Sequence, residues 1–172
     1  MKNERSLVVV LAALLVLICI AVFGSGVIGV SRSNIEENAR QSQRIDASWL
    51  VAKDVTDEAA ALLFYNKELN QHTFSIYLNN DGFSYGYFFR EGGSLGSIDS
   101  GIQGFSYQSN GLVLLSMNAK NVEKIQMNNG KNIEIITINP LEPFAIIIPS
   151  NIDTVTLYNS NGENISIDNI ST

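Results

Sequence analysis

The chain has 172 residues and a formal net charge of −6, from 11 Lys and Arg against 17 Asp and Glu; its length suits one domain core beside a short appended segment. Setting aside Lys2, Glu4 and Arg5 leaves nine basic and sixteen acidic side chains downstream, which argues against nucleic acid as a partner, because binding it needs Lys and Arg to displace condensed counterions. One cysteine, Cys19, and one histidine, His72, exclude a disulfide framework, a thiolate metal site and an imidazole-rich metal centre, and no cofactor is expected.

Taken in chain order, residues 1–5 form a short basic tail. Ser6 to Val30 contains no charged residue and is dominated by Leu, Val, Ile, Ala and Gly. At a rise of roughly 1.5 Å per residue it is long enough to span a bilayer's hydrocarbon core, so residues 6–30 are expected to be a transmembrane helix with lipid as its partner. Lys2 and Arg5, then Leu7 to Phe23, then Gly24-Ser25-Gly26 follow the order of a secretory signal. The apolar run continues through Val27, Ile28 and Val30, beyond a typical signal core, and a retained signal anchor is expected over a cleaved leader. Ile18 before Cys19 does not match the small residue that precedes a lipidated cysteine. Arg32, Arg40 and Arg44 balance Lys2 and Arg5 across the span, so the positive-inside rule does not set orientation; the signal-like tail places the remainder outside the cytoplasm, at the cell membrane.

Residues 31–46 read as a polar helical stalk. Ser33 or Asn34 caps it, Glu36 and Arg40 form an i,i+4 pair, and only Ile35, Ala39 and Ile45 are apolar, which leaves no face for a core. Residues 47–172 then read as one β domain. Ala59 to Tyr65 is ambiguous by periodicity and is assigned to strand from about Ala60, because Asn66 to Gln71 has hairpin-loop composition. Phe74, Ile76 and Leu78 alternate with Thr73, Ser75 and Tyr77, the period-two pattern of a strand. Asn79-Asn80-Asp81-Gly82 supplies a turn, and Phe83, Tyr85, Tyr87 and Phe89 line one face of the next strand. Glu91 to Gly104 reads as a long Gly- and Ser-rich loop.

Short apolar runs follow at Gly104 to Tyr107, Leu112 to Met117, Val122 to Met127, Ile133 to Ile138, Phe144 to Ile148, Thr154 to Tyr158 and Asn164 to Ile167, with hairpin turns at Asn128-Asn129-Gly130 and Asn161-Gly162. Pro140, Pro143 and Pro149 fall outside strand interiors. Ile146-Ile147-Ile148 lacks alternation, which predicts a strand covered on both faces. Around ten strands without crossover helices predict a mainly β fold, an antiparallel sandwich or barrel-like domain after the one N-terminal helix.

No residue set is expected to be catalytic. His72 reads as an exposed loop residue, no nucleophile-elbow pattern surrounds a serine, and Glu91, Asp99, Glu123 and Glu134 are scattered. Asn79 to Gly82 and Asn159 to Glu163 lack the alternating aspartates of a calcium loop and read as turns. Gly92-Gly93-Ser94 has no following Lys-Ser or Lys-Thr, so it is not a phosphate-binding loop. The densest aromatic run is expected to pack in the core before it serves as a ligand platform, and it leaves one candidate ligand or partner face, Tyr77, Tyr85 and Tyr87 with Arg90 and Glu91.

Ser75-Ile76-Tyr77-Leu78 with Gly86-Tyr87-Phe88-Phe89-Arg90-Glu91-Gly92-Gly93-Ser94, followed by Val122-Glu123-Lys124-Ile125, Pro143-Phe144-Ala145-Ile146 and Val155-Thr156-Leu157-Tyr158, resembles a pattern in small exported proteins of low-GC Gram-positive bacteria. The resemblance implies a membrane-anchored or exported β domain and carries over no catalytic residue. The layout of an apolar helix before a β-rich head is also similar to that of type IV pilins, but the prepilin Gly-aromatic-Glu pattern is missing from the apolar run. The expected function is that of a single-pass envelope protein with an extracytoplasmic binding or accessory module. The alternatives are a cell-wall glycan or peptide hydrolase and a structural partner of another membrane protein, the latter through Gly24, Gly26 and Gly29.

Overall fold

A computed structural model describes residues 8, 10–18, 20, 28–79, 85–107 and 111–171. Cys19, the 24–26 glycine stretch, the turn at 80–82 and Phe83 lie outside them. Residues 8, 10–18 and 20 are helical, and Val8, Leu11, Leu14, Leu15 and Leu17 are exposed. Among the described residues no helix is long and apolar enough to cross a membrane.

The remainder is mainly β, in three four-stranded sheets whose pairings are antiparallel with one exception. The first sheet has the order β1-β2-β3-β4, from Leu50–Val55, Ala59–Tyr65, His72–Asn79 and Tyr87–Gly93. The second, β12-β5-β6-β9, uses Ile167–Ser171, Ile102–Tyr107, Gly111–Ser116 and Phe144–Ile148. The third, β11-β10-β7-β8, uses Asn164–Ile165, Thr154–Asn159, Val122–Asn128 and Ile133–Thr137. The exception is β12, which runs parallel to β5. Hairpin turns join β7 to β8 and β10 to β11, and Gly130 and Gly162 take φ of 78° and 79° there, a conformation glycine adopts without steric cost.

The mainly β, antiparallel character expected from sequence holds, and the three sheets stack as layers. One face of the first sheet, carrying Ala59, Ala61, Leu63, Phe74 and Ile76, packs on Phe105, Val113, Leu115, Ala145 and Ile147 of the second. The second sheet's other face, with Ile102, Leu114, Phe144 and Ile148, packs on Val122, Ile125, Met127 and Leu157 of the third. The middle sheet is therefore apolar on both sides, which is why Ile146-Ile147-Ile148 does not alternate. Strand β2 is buried along its whole length for the same reason, because its second face is also covered. At the contact between the first two sheets, the Asp54 carboxylate accepts the Ile147 N–H at 2.9 Å and so satisfies a donor on the β9 edge. In this core, burial pushes the Tyr107 phenol up to about 12, with Glu58 adding to the effect.

The cover over β2 is the helix α1, Ile35–Gln43, preceded by a 3-10 turn at Arg32–Asn34. It is no free-standing stalk. Ile35 and Ala39 are 1% and 0% exposed and pack on Ala60, Leu62, Phe64, Tyr77 and Tyr87. A narrow i,i+4 stripe suffices because the sheet contributes the large side chains and the helix needs only to fit between them. Polar contacts fix the docking. The Gln43 amide donates to the Phe74 carbonyl at 2.9 Å and accepts from the Thr73 hydroxyl at 2.7 Å. Arg40 lies 4.9 Å from the Phe64 ring centroid, binds Glu36 and donates to the Trp49 carbonyl at 3.1 Å. The Lys53 ammonium and then the Arg40 guanidinium hold the Glu36 carboxyl below its ordinary value, partly opposed by burial.

The C-terminal end of the apolar stretch also belongs to the domain. Ile28 bridges Tyr85 and Val30 bridges Tyr87, with the Gly29 N–H on the Tyr85 carbonyl at 2.6 Å and the Val30 N–H on the Tyr87 carbonyl at 2.8 Å. A Cβ on Gly29 would lie 2.6 Å from the Tyr87 carbonyl oxygen, so glycine is what lets the two backbones approach. Gly29 thus lies in a strand contact of the head.

Candidate functional site

The five residues of the expected aromatic face do not form one surface. Tyr77 and Tyr87 are 1% and 5% exposed in the core beneath α1. The Tyr77 hydroxyl donates to Asn38 Oδ1 at 2.8 Å and that of Tyr87 to the Thr56 carbonyl, and burial raises both phenols. Tyr85 is 71% exposed beside Ile28. Arg90 and Glu91 are exposed on β4, where Tyr77 pairs with Phe89 and Ile76 with Glu91, leaving Arg90 as the extra residue of a bulge. Burial of Tyr77 and Tyr87 and a bulge at Arg90 separate residues that aromatic density in the sequence had grouped.

A concave site lies at one end of the first sheet. The residue before β1, the β2–β3 hairpin and the loop after β4 converge there on an open cleft of about 500 Å³, lined by Trp49, Asn70, Gln71, His72, Ser94, Gly96, Ser97 and Ile98. Trp49 is held from behind, since it also packs against the core under α1. Asn66 shapes the hairpin: its Oδ1 accepts the Asn70 and Gln71 N–H groups, each at 3.0 Å, and its Nδ2 donates to Asn70 Oδ1.

His72 fixes the opposite wall. It is the first residue of β3, paired with Tyr65, and not the exposed loop residue expected from sequence. Its Nε2 accepts the Leu95 N–H at 3.0 Å, which ties the 94–98 loop to the sheet. That bond assigns the proton to Nδ1, a buried atom with no partner among the described residues. Burial lowers the imidazole pKa from 6.5, favouring this neutral form. Ser94 Oγ lies 3.4 Å from Nε2 and accepts the Gly96 N–H at 3.1 Å. Because the Nε2 lone pair already holds a backbone N–H and no carboxylate among the described residues bonds Nδ1, His72 is not set up there to take the Ser94 proton.

Two further concavities differ in chemistry. One, of about 480 Å³, runs along α1 from Gly29 to Gln41 and includes Glu37 but no aromatic residue. The other, of about 330 Å³, includes Glu123, Lys124 and Tyr158, but Lys124 Nζ sits 4.0 Å over the Tyr158 ring. Among the described residues no group of three or more His, Cys, Asp or Glu could hold a metal ion.

Sequence reading marked the 66–71 and 91–104 segments as loops without bringing them together, and it missed Trp49 and the serines of the second loop as site residues. Comparison with protein-family models, curated proteins and solved structures finds no match to this chain.

Proposed function

We propose that the chain is a single-pass membrane protein whose β head is a non-catalytic binding or accessory module on the extracytoplasmic side, in the manner of the exported β-domain proteins it resembles. The observation that carries this reading is the apolar helical segment at residues 8, 10–18 and 20, which displays Val8, Leu11, Leu15 and Leu17 outward with the head's own cores made by other residues. A helix apolar on all sides needs a nonaqueous surrounding. The 22 uncharged residues 6–27 are, at roughly 1.5 Å per helical residue, enough in number for a hydrocarbon core of about 30 Å. With α1 docked on the sheet, the head sits at the lipid surface and is not held off on a stalk.

The test is alkaline carbonate extraction of membranes, together with protease added to intact cells. The reading expects the full-length chain to stay in the membrane pellet and the head to be cleaved from outside. Release into the alkaline supernatant, or a head untouched by external protease but cleaved after lysis, refutes it.

A further inference from the structure

We propose that the cleft between Trp49 and His72 is a binding site for a neutral saccharide. The inference rests on the reading of the head as a binding module and is independent of the anchor. Three features carry it. None of the residues lining the cleft is charged, although the chain carries 28 charged side chains and a net charge of −6. An ionic ligand entering it would lose hydration without gaining a counter-charge, so the site selects against phosphates, carboxylates and amines.

The lining combines one indole with short, uncharged hydrogen-bonding groups: the Asn70 and Gln71 amides and the Ser94 and Ser97 hydroxyls. A pyranose has the matching chemistry, with C–H faces that pack on an aromatic ring and hydroxyls that both donate and accept. An extended peptide would instead seek an unpaired strand edge, and this cleft lies among strand ends and loop side chains. Finally, the walls are built before a ligand arrives. His72 pins the Ser94–Ile98 loop through the Leu95 N–H, Asn66 holds the hairpin, and Trp49 is backed by the core. Little ordering is left to oppose binding.

Trp49 is the only tryptophan in the chain, so all tryptophan emission comes from a wall of this cleft. The full chain, in a zwitterionic detergent without a sugar headgroup, is titrated with tetra-N-acetylchitotetraose and cellotetraose. The expected result is a saturable change in Trp49 emission with at least one of them. Gln71→Ala and Ser97→Ala, both at exposed positions, each weaken binding by roughly threefold to tenfold, as expected for loss of one hydrogen bond to a neutral group. Circular dichroism checks that both variants fold. Silence of Trp49 up to millimolar sugar, or a response unchanged in both variants, overturns the proposal. A response to trialanine with none to sugars also overturns it, yet leaves the binding-module reading standing. Carbonate extraction and surface proteolysis score the anchored reading separately.

Discussion

Replacing Asn118 tests how the third sheet is joined to the second. Asn118 follows β6, is 3% exposed and has a φ of 62°. Its Nδ2 donates to the carbonyls of Val122 and Asn139, each at 3.1 Å, and its Oδ1 accepts the Val122 N–H at 2.7 Å. One side chain thus holds the β6–β7 turn to the segment after β8. Asn118→Ala leaves a buried N–H unsatisfied, at about 1–3 kcal/mol, and removes a partner from each of two carbonyls at the lower end of that range. The left-handed backbone costs Ala roughly 1–2 kcal/mol more than Asn or Gly. The expected loss is therefore about 4–7 kcal/mol, a large fraction of the ~5–15 kcal/mol that stabilises a typical domain. For a chain of this size that lowers Tm by about 8–28 °C, read by far-UV circular dichroism during heating. Asn118→Gly keeps the backbone conformation and loses only the hydrogen bonds, so it should fall between wild type and Ala. A Tm for Asn118→Ala unchanged from wild type, or a Gly variant less stable than Ala, refutes the reasoning.

Ile35→Ala should destabilise the fold by about 2–5 kcal/mol, because it opens a cavity between α1 and the first sheet; hydrogen exchange at 35–43 checks it, and wild-type protection there refutes docking. For His72, the folded imidazole titrates below the unfolded value of 6.5. The unfolded chain therefore binds the extra proton first, so stability is full above 6.5 and falls as pH drops towards the folded pKa. His72→Gln retains an acceptor for the Leu95 N–H without titrating, and should flatten this part of a Tm-against-pH curve. Gly29→Val places a side chain against the Tyr87 carbonyl and should break the Ile28–Val30 contact with β4, seen as faster proteolysis just before α1; an unchanged cleavage rate counts against the contact.

Much of the architecture could be read from the chain because it is written in local pattern. The alternation in 73–78 gave β3, the Asn-Gly pairs at 129–130 and 161–162 gave two hairpins, and the unbroken isoleucines 146–148 gave a strand covered on both sides. Ala59–Tyr65, ambiguous by period, proved a strand because helix and sheet cover its two faces. Tertiary structure alone decided three things. It set how the strands divide into three stacked sheets, since counting strands does not say which faces meet. It turned a polar segment into a docked helix, since two small contacts, Ile35 and Ala39, count as a face only once Phe64 and Tyr77 are opposite them. And it made a site of Trp49, Gln71, His72 and Ser94. Hydrophobic periodicity records which side of an element is buried, whereas a binding cleft depends on which loops meet, and loops distant in sequence carry no local signal of their meeting.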